Sequence, residues 1–403
     1  MGGRPERLEA LLEGAVEGGR LAAEQGRPSV DERRLSAEEA LDLYVQADFH
    51  ALGRAADAVR RARFPEGYAT FVIDRNVNTT SVCVTGCRFC AYYHSPQDPG
   101  AWRRSVEEIH SRVEEAVAAG ATQIMFQGGH DPERGLEWYE GLLRGVRAKW
   151  PGLTLHCLGP SEIAYFARTS GLPVTEVLSR LRSAGLDSLP GAGAEILVDR
   201  VRRIISPLKE PAEVWLEVMR TAHGMGIEST ATMMMGTVET PAERIEHLRV
   251  IRELQDEAGG FRAFIPWTYQ AGNNVLGGRT NVTVFDYLRF VAVARLYLDN
   301  VAHVQGSWLT AGKDAGQLSL HLGADDLGSV MLEENVVAAA GTHNSSDVGE
   351  LVHLIRQAGR IPVQRDTLYR ALAVYDAPDG GSRVPKEPEP IGAQRRGRER
   401  DPG

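Results

Sequence analysis

From Gly67 onward, short β-branched or apolar runs alternate with longer stretches of helical periodicity, and this alternation limits the fold more than any other feature of the chain. Residues 71–80, 123–126, 153–158, 188–189, 228–235, 263–267 and 301–306 have strand character. Between them, 106–119, 136–149, 174–184, 211–223 and 284–299 read as helices, and Thr240-Pro-Ala-Glu243 starts another with a capping box and proline at its first position. A βα unit of ~30–40 residues repeated about seven times predicts an α/β fold, a full or partial parallel barrel. A doubly wound open sheet is the alternative. In both, ligands meet the chain at the carboxyl ends of the strands.

Four segments follow from composition and periodicity. Residues 1–66 form a helical extension, with Leu8, Leu11, Leu12 and Val16 at helical spacing and a capping box at Ser36-Ala-Glu-Glu39. Residues 67–310 form the barrel core and 311–376 pack on it. Residues 377–403, rich in Pro, Gly, Arg and Glu, have the composition of a disordered tail.

The net charge of −9 argues against nucleic acid as a main partner, and the most apolar stretches are short and broken by Arg295, so none spans a membrane. No apolar core follows the early arginine as in a signal peptide. Four cysteines in 403 residues do not make a disulfide scaffold, which suits a reducing cytoplasm.

Three of those cysteines lie within eight residues, Cys83-Val-Thr-Gly-Cys87-Arg-Phe-Cys90, directly after the first strand and hence at the mouth of the barrel. Three thiolates on one loop can hold three corners of a cubane iron–sulfur cluster and leave the fourth iron open to a ligand. Structural zinc would need a fourth ligand. Cys157 lies in an apolar stretch and His94 is too close in sequence, so neither completes such a site.

Other strand ends carry candidate ligand groups. Gly128 and Gly129 allow close backbone approach, followed by His130. Pro190-Gly-Ala-Gly-Ala-Glu195 is a run of small residues ending in a carboxylate, suited to hydroxyl or ammonium groups. Glu239 either serves a cofactor or orders its own turn before Thr240. Trp267, Thr268, Gln305 and Trp308 bring aromatic, hydroxyl and amide groups to the sixth and seventh strand ends, as a hydroxylated aromatic substrate would require.

The cysteine motif resembles that of the radical S-adenosylmethionine (SAM) superfamily. Together with Tyr92-Tyr93, Gly191-Ala-Gly-Ala-Glu-Ile-Leu-Val-Asp-Arg200, Phe264-Ile-Pro-Trp267, Met331-Leu-Glu-Glu-Asn-Val-Val337 and Gln364-Arg-Asp-Thr-Leu-Tyr369, it is similar to the cyclic dehypoxanthinyl futalosine synthase family. The resemblance implies a [4Fe–4S] cluster on Cys83, Cys87 and Cys90, with SAM on the open iron contacted by Gly128, Gly129, Glu195 and Glu239. It implies dehypoxanthine futalosine as substrate beside Trp267, Thr268 and Gln305. An adenosyl radical would abstract hydrogen from the ribose, and ring closure would yield the cyclised product in the futalosine route to menaquinone. A one-electron donor such as flavodoxin or ferredoxin is implied as partner. Aminofutalosine synthase and the deazaflavin-forming enzyme share several of these segments, and a non-catalytic metal-binding protein is the more distant alternative. His130 departs from the superfamily's Gly-Gly-Glu. Arg289, Arg295 and Lys313 are the candidate cations for the substrate's carboxylate.

Overall fold

In the computed structural model, residues 4–25, 34–278, 282–377 and 381–392 are described. Three helices come first: α1 (Arg4–Gln25), α2 (Ala37–Gln46) and α3 (Phe49–Arg63). The capping box expected at Ser36 is formed, with Ser36 Oγ accepting from Glu39 N and Glu39 returning the bond to Ser36 N at 2.8 Å. These helices cover Val284–Tyr297, a helix whose residues from Phe290 to Leu296 are all buried. A helix apolar on every side needs partners on every side, and the extension supplies the outer ones. Arg289 ties the two layers together by donating to the carbonyls of Leu43, Tyr44 and Ala47 at the end of α2.

The strands close into a ring. The first barrel strand is bent at Ile73 into β1 (Tyr68–Val72) and β2 (Asp74–Asn78), followed by β3 (Gln123–Gln127), β4 (Thr154–Leu155), β5 (Ser229–Met235), β6 (Phe261–Thr268), β7 (His303–Val304) and β8 (Asp326–Ser329). β2 pairs with β3 and β3 with β4. Ser188 and Leu189 bridge from His156 to Ser229. β5, β6 and β7 pair in turn, Gln305 bridges to Asp326, and β8 pairs with β1. Every pairing is parallel, so the sheet is a closed barrel and not an open doubly wound one. Its eighth strand, Asp-Leu-Gly-Ser, lies beyond residue 310, where the sequence put the end of the barrel core. Asp326 is polar because it faces inward onto Arg365.

The floor of the barrel comes from the far end of the chain. β9 (Ile361–Arg365) runs parallel to β1 and turns at Asp366–Tyr369 into antiparallel β10 (Arg370–Val374). The turn brings Arg365, Thr367 and Tyr369 into the barrel interior, where Arg365 pairs with Asp326 and Tyr369 stacks on His303 at 3.6 Å. Residues 381–392 correct the expectation of disorder from 377. β11 (Glu389–Pro390) pairs with β10, and Ile391 is buried with Phe64, Val363, Ala371 and Val374. Two aliphatic residues in a Pro-rich stretch, of which only Ile391 is buried, are too weak a compositional signal to mark this docking. Residues 378–380 and 393–403 of the expected tail, and Met1–Gly3, lie outside the described residues.

Two buried histidines make the fold acid-sensitive. His247 Nδ1 accepts from Leu197 N at 3.0 Å, and His223 Nε2 meets Ser229 Oγ at 2.8 Å. Burial pulls them down to about 3 and about 4 respectively, with Arg202 and Arg262 adding to the effect. The native state therefore prefers both rings neutral. The stability this carries is present above the unfolded value near pH ~6.5 and is lost as pH falls toward those folded values. At ~1.4 kcal/mol per pH unit for each group, the pair withdraws on the order of 4 kcal/mol by pH ~5. The urea midpoint should fall between pH 7 and pH 5, and an unchanged midpoint would contradict this.

Candidate active site

The cysteine loop is pinned from several sides. Cys83 N donates to His94 O (2.9 Å), Val84 N to His130 O (3.1 Å), Arg88 N to Ile205 O (2.8 Å), and Leu276 N returns a bond to Arg88 O (2.7 Å). Gly86, with φ 55°, makes the turn between the first two thiols. The Cys83 sulfur accepts from Thr85 N at 3.4 Å and His130 N at 3.3 Å. All three thiols line one cavity of about 200 Å³ at the carboxyl ends of the strands. Burial raises the Cys90 thiol and pushes Cys87 up to about 12, although Lys209 opposes the latter. Metal binding must therefore displace protons.

Among the described residues, no three His, Cys, Asp or Glu side chains form a group set to hold a single metal ion. The thiols instead surround a shared space, as a cluster requires when each thiolate binds a different iron. Cys157 is apart from them. It is fully buried, its sulfur accepting from Phe126 N and donating to Ile124 O.

Glycines bring neighbouring strand ends close to that space. A Cβ on Gly128 would lie 2.5 Å from Thr79 Oγ1, and one on Gly129 would meet Val82 O and come within 2.6 Å of Cys83 Cβ. Gly129→Ala should therefore push the Cys83 segment outward and weaken iron retention by at least ~10-fold, the scale of lost support around metal ligands. Iron content after a chelator challenge measures this, and wild-type retention would contradict it. His130 is a strut: its ring bonds Thr85 Oγ1 at 2.8 Å and stacks on Tyr165 at 4.7 Å. Burial, with Lys209 and Arg168, pulls it down to about 3, so it stands neutral. A carboxylate does stand at this tip. Glu162, from the helix Pro160–Ser170, accepts from Gly128 N (3.1 Å) and Gly159 N (2.7 Å), and burial raises it to about 7.

Glu195 lines the thiol cavity and a second, deeper one of about 360 Å³. It is a non-glycine residue at φ 40°, a strained conformation that aims its carboxylate inward. One oxygen bonds Lys209 Nζ at 2.7 Å, and Oε2 is buried with no partner. Burial works to lower Lys209, but Cys87 once ionised and the carboxylates of Glu195 and Glu210 outweigh it and raise the group. Phe89, Gln127, Ala192, Gly193 and Val336 also line both cavities, which makes them one chamber in two parts.

Trp267, Gln305 and Trp308 line the deeper part, together with Asp74, Asn76, Thr232, Arg262 and the floor residues Arg365, Thr367 and Tyr369. Two expected site residues are elsewhere. Glu239 lines neither cavity: its carboxylate accepts from Gly236 N, Thr237 N and Thr237 Oγ1 and pairs with Arg244 at 2.7 Å, so it orders its own turn. Thr268 is spent on Thr310, its N and Oγ1 bonding that residue's Oγ1 and O. Nor do the three candidate cations line the chamber. Arg289 caps α2, Arg295 pairs with Asp325, and Lys313 pairs with Glu350. Lys209, Glu162, Arg262 and Asp74 were missed in the sequence, where each is an ordinary charged residue in a helix, turn or strand.

Known proteins resemble this chain in sequence or in architecture. Residues 77–251 match the radical SAM superfamily model, and residues 258–377 match the CofH/MqnC C-terminal region. The chain is similar to cyclic dehypoxanthine futalosine synthase of Streptomyces coelicolor, 58% identical over 86% of this chain and 87% of that one. It is 41% identical to the Halalkalibacterium halodurans enzyme of the same name, over 86% and 94%. It is 42% identical to aminodeoxyfutalosine synthase of Thermus thermophilus, over 85% and 94%. Methylornithine synthase (TM-score 0.68, 17% identity, 88% of this chain and 97% of that one) and the hydrogenase maturase HydG of Carboxydothermus hydrogenoformans (0.68, 14%, 91% and 86%) share the fold. With three thiols around one cavity at the mouth of a closed parallel barrel, the chain is a [4Fe–4S]- and SAM-dependent enzyme that belongs to the radical SAM superfamily and, within it, to the cyclic dehypoxanthine futalosine synthase family.

Proposed function

We propose that this chain converts dehypoxanthine futalosine to its cyclic product in the futalosine route to menaquinone. The observation that carries this reading is the two-part chamber, in which the thiol cavity opens directly onto a deeper cavity walled by Trp267 and Trp308. When bound, the cluster and SAM supply a carbon radical that abstracts hydrogen from the substrate ribose. The chain's own part is to position and to exclude. Cys83, Cys87 and Cys90 hold the cluster, and Gly128 and Gly129 let the second strand end lie against it. Glu195, which lines both parts of the chamber and has one carboxylate oxygen without a partner, serves as an acceptor for an ammonium or hydroxyl group. Trp267 and Trp308 flank an aromatic ring, while Gln305 and the unpartnered Oδ1 of Asn76 offer polar contacts to a sugar or ketone. The closed floor keeps water from a reactive intermediate.

A one-electron donor of the flavodoxin or ferredoxin kind serves the cluster, and the reducing cytoplasm suits the free thiols. No helix among the described residues is long and apolar enough to cross a membrane.

Anaerobically reconstituted protein given SAM, a reductant and dehypoxanthine futalosine should release 5′-deoxyadenosine as a separate product beside a cyclised one. The 42% identity to aminodeoxyfutalosine synthase makes radical addition the competing chemistry. A product with adenosine covalently attached would favour that reading and reject cyclisation.

A further inference from the structure

The deeper cavity has a weakly paired cation at its closed end. Arg262 stands near the start of β6, where the β5–β6 register shifts, and it is 7% exposed. Arg262 lines the cavity, and its Nε and Nη2 are buried with no hydrogen-bond partner. Glu228 lies 3.5 Å from Nη1 but is itself 45% exposed, so it neutralises the charge poorly, and Asp366, which also bears on Arg262, is paired with Arg370 at 2.6 Å. Arg365, the other guanidinium on this wall, is occupied by Asp326 and the Asp366 carbonyl. The neighbouring acids are also engaged. Asp74 accepts from Ser329 Oγ and Gln123 Nε2, and Glu334 accepts from the backbone N–H groups of residues 336–338. A desolvated guanidinium with two unmatched donors is costly unless an anion arrives, and its planar fork fits a carboxylate.

We propose that Arg262 binds the aryl carboxylate of the substrate, so that the acid lies at the closed end and the ribose faces the thiols. This rests on the cyclisation activity proposed above. The strand sets the scale: Arg262 and Trp267 stand five positions apart on β6, or ~16 Å along it, enough for an aryl acid with its chain to lie between floor and mouth. It also gives the enzyme a polarity. A ligand lacking the acid has no reason to enter ring-first.

Trp267 and Trp308 line the cavity, so tryptophan fluorescence can report substrate binding without SAM or reductant. Wild-type protein should bind dehypoxanthine futalosine ~10–100-fold more tightly than its aryl carboxamide, the worth of a hydrogen-bonded charge. Arg262→Gln should remove that preference, raising KM for the acid by a similar factor with a smaller change in kcat and leaving SAM binding unaltered. Arg262→Lys should recover part of it. Equal binding of acid and amide by wild type overturns the assignment, and that comparison needs no variant to fold. Retained acid preference in Arg262→Gln, with normal wild-type turnover, overturns it alone. Wild-type protein that neither binds nor turns over dehypoxanthine futalosine overturns the activity as well.

Discussion

Cys87→Ala should reduce iron in anaerobically purified protein to background and abolish SAM cleavage while leaving the barrel folded. Cys87 is buried within a loop held by its backbone, through Val84, Arg88 and Cys90 N–H groups, so the thiol is not what keeps the loop in place. Removing it costs the packing of one sulfur, within the usual range of ~1–2 kcal/mol for a small buried group. The effect on the cluster is of another order, because two thiolates cannot cap three irons. Cys157→Ala is the control. Cys157 is more deeply buried, and its sulfur bonds only backbone, to Phe126 N and Ile124 O. It should lower stability slightly and leave iron content and SAM cleavage intact. Iron retained in Cys87→Ala, or lost in Cys157→Ala, would mean that the ligand set is misassigned.

Glu195→Ala should damage folding and chemistry together. The Glu195–Lys209 pair is buried, and deleting one member strands the other charge in a low dielectric, at a cost of about 3–5 kcal/mol. Lys209 then has Glu210 as its remaining nearby carboxylate, and Arg202 and Ser161 already engage Glu210. The urea midpoint should fall accordingly. The Glu195→Ala/Lys209→Met double variant should regain most of that stability but not SAM binding, since the carboxylate oxygen without a partner is gone. A double variant that recovers SAM cleavage would make Glu195 a mere counterion.

The sequence was legible where periodicity and chemistry agreed. Short β-branched runs marked seven of the barrel strands because strands buried on both faces are apolar. The eighth, Asp326–Ser329, escaped because its inward residue is a carboxylate serving Arg365. The spacing of Cys83, Cys87 and Cys90 marked them as a group, and the fold brings all three to one cavity. Glu195 stood out after its run of small residues, and the structure gives that run a reason: a Cβ on Gly193 would strike Ser161 Oγ. For Glu239 the sequence offered both a cofactor role and the ordering of its own turn, and the structure shows the second. Thr268 was misread because strand alternation says which face a residue takes, not whether a neighbour such as Thr310 already claims its hydroxyl. Lys209 and Arg262 were invisible for a similar reason. A lysine becomes part of a site only when a strained carboxylate meets it, and an arginine only when its partners are missing, and both depend on contacts between distant segments.

The hairpin of β9 and β10 gives the barrel an unusual order of assembly. Synthesis proceeds from the amino end, so the walls emerge before the stopper that seals their base. A chain cut before Ile361 would keep Cys83, Cys87 and Cys90 and the whole barrel wall while losing the hairpin that seals its base.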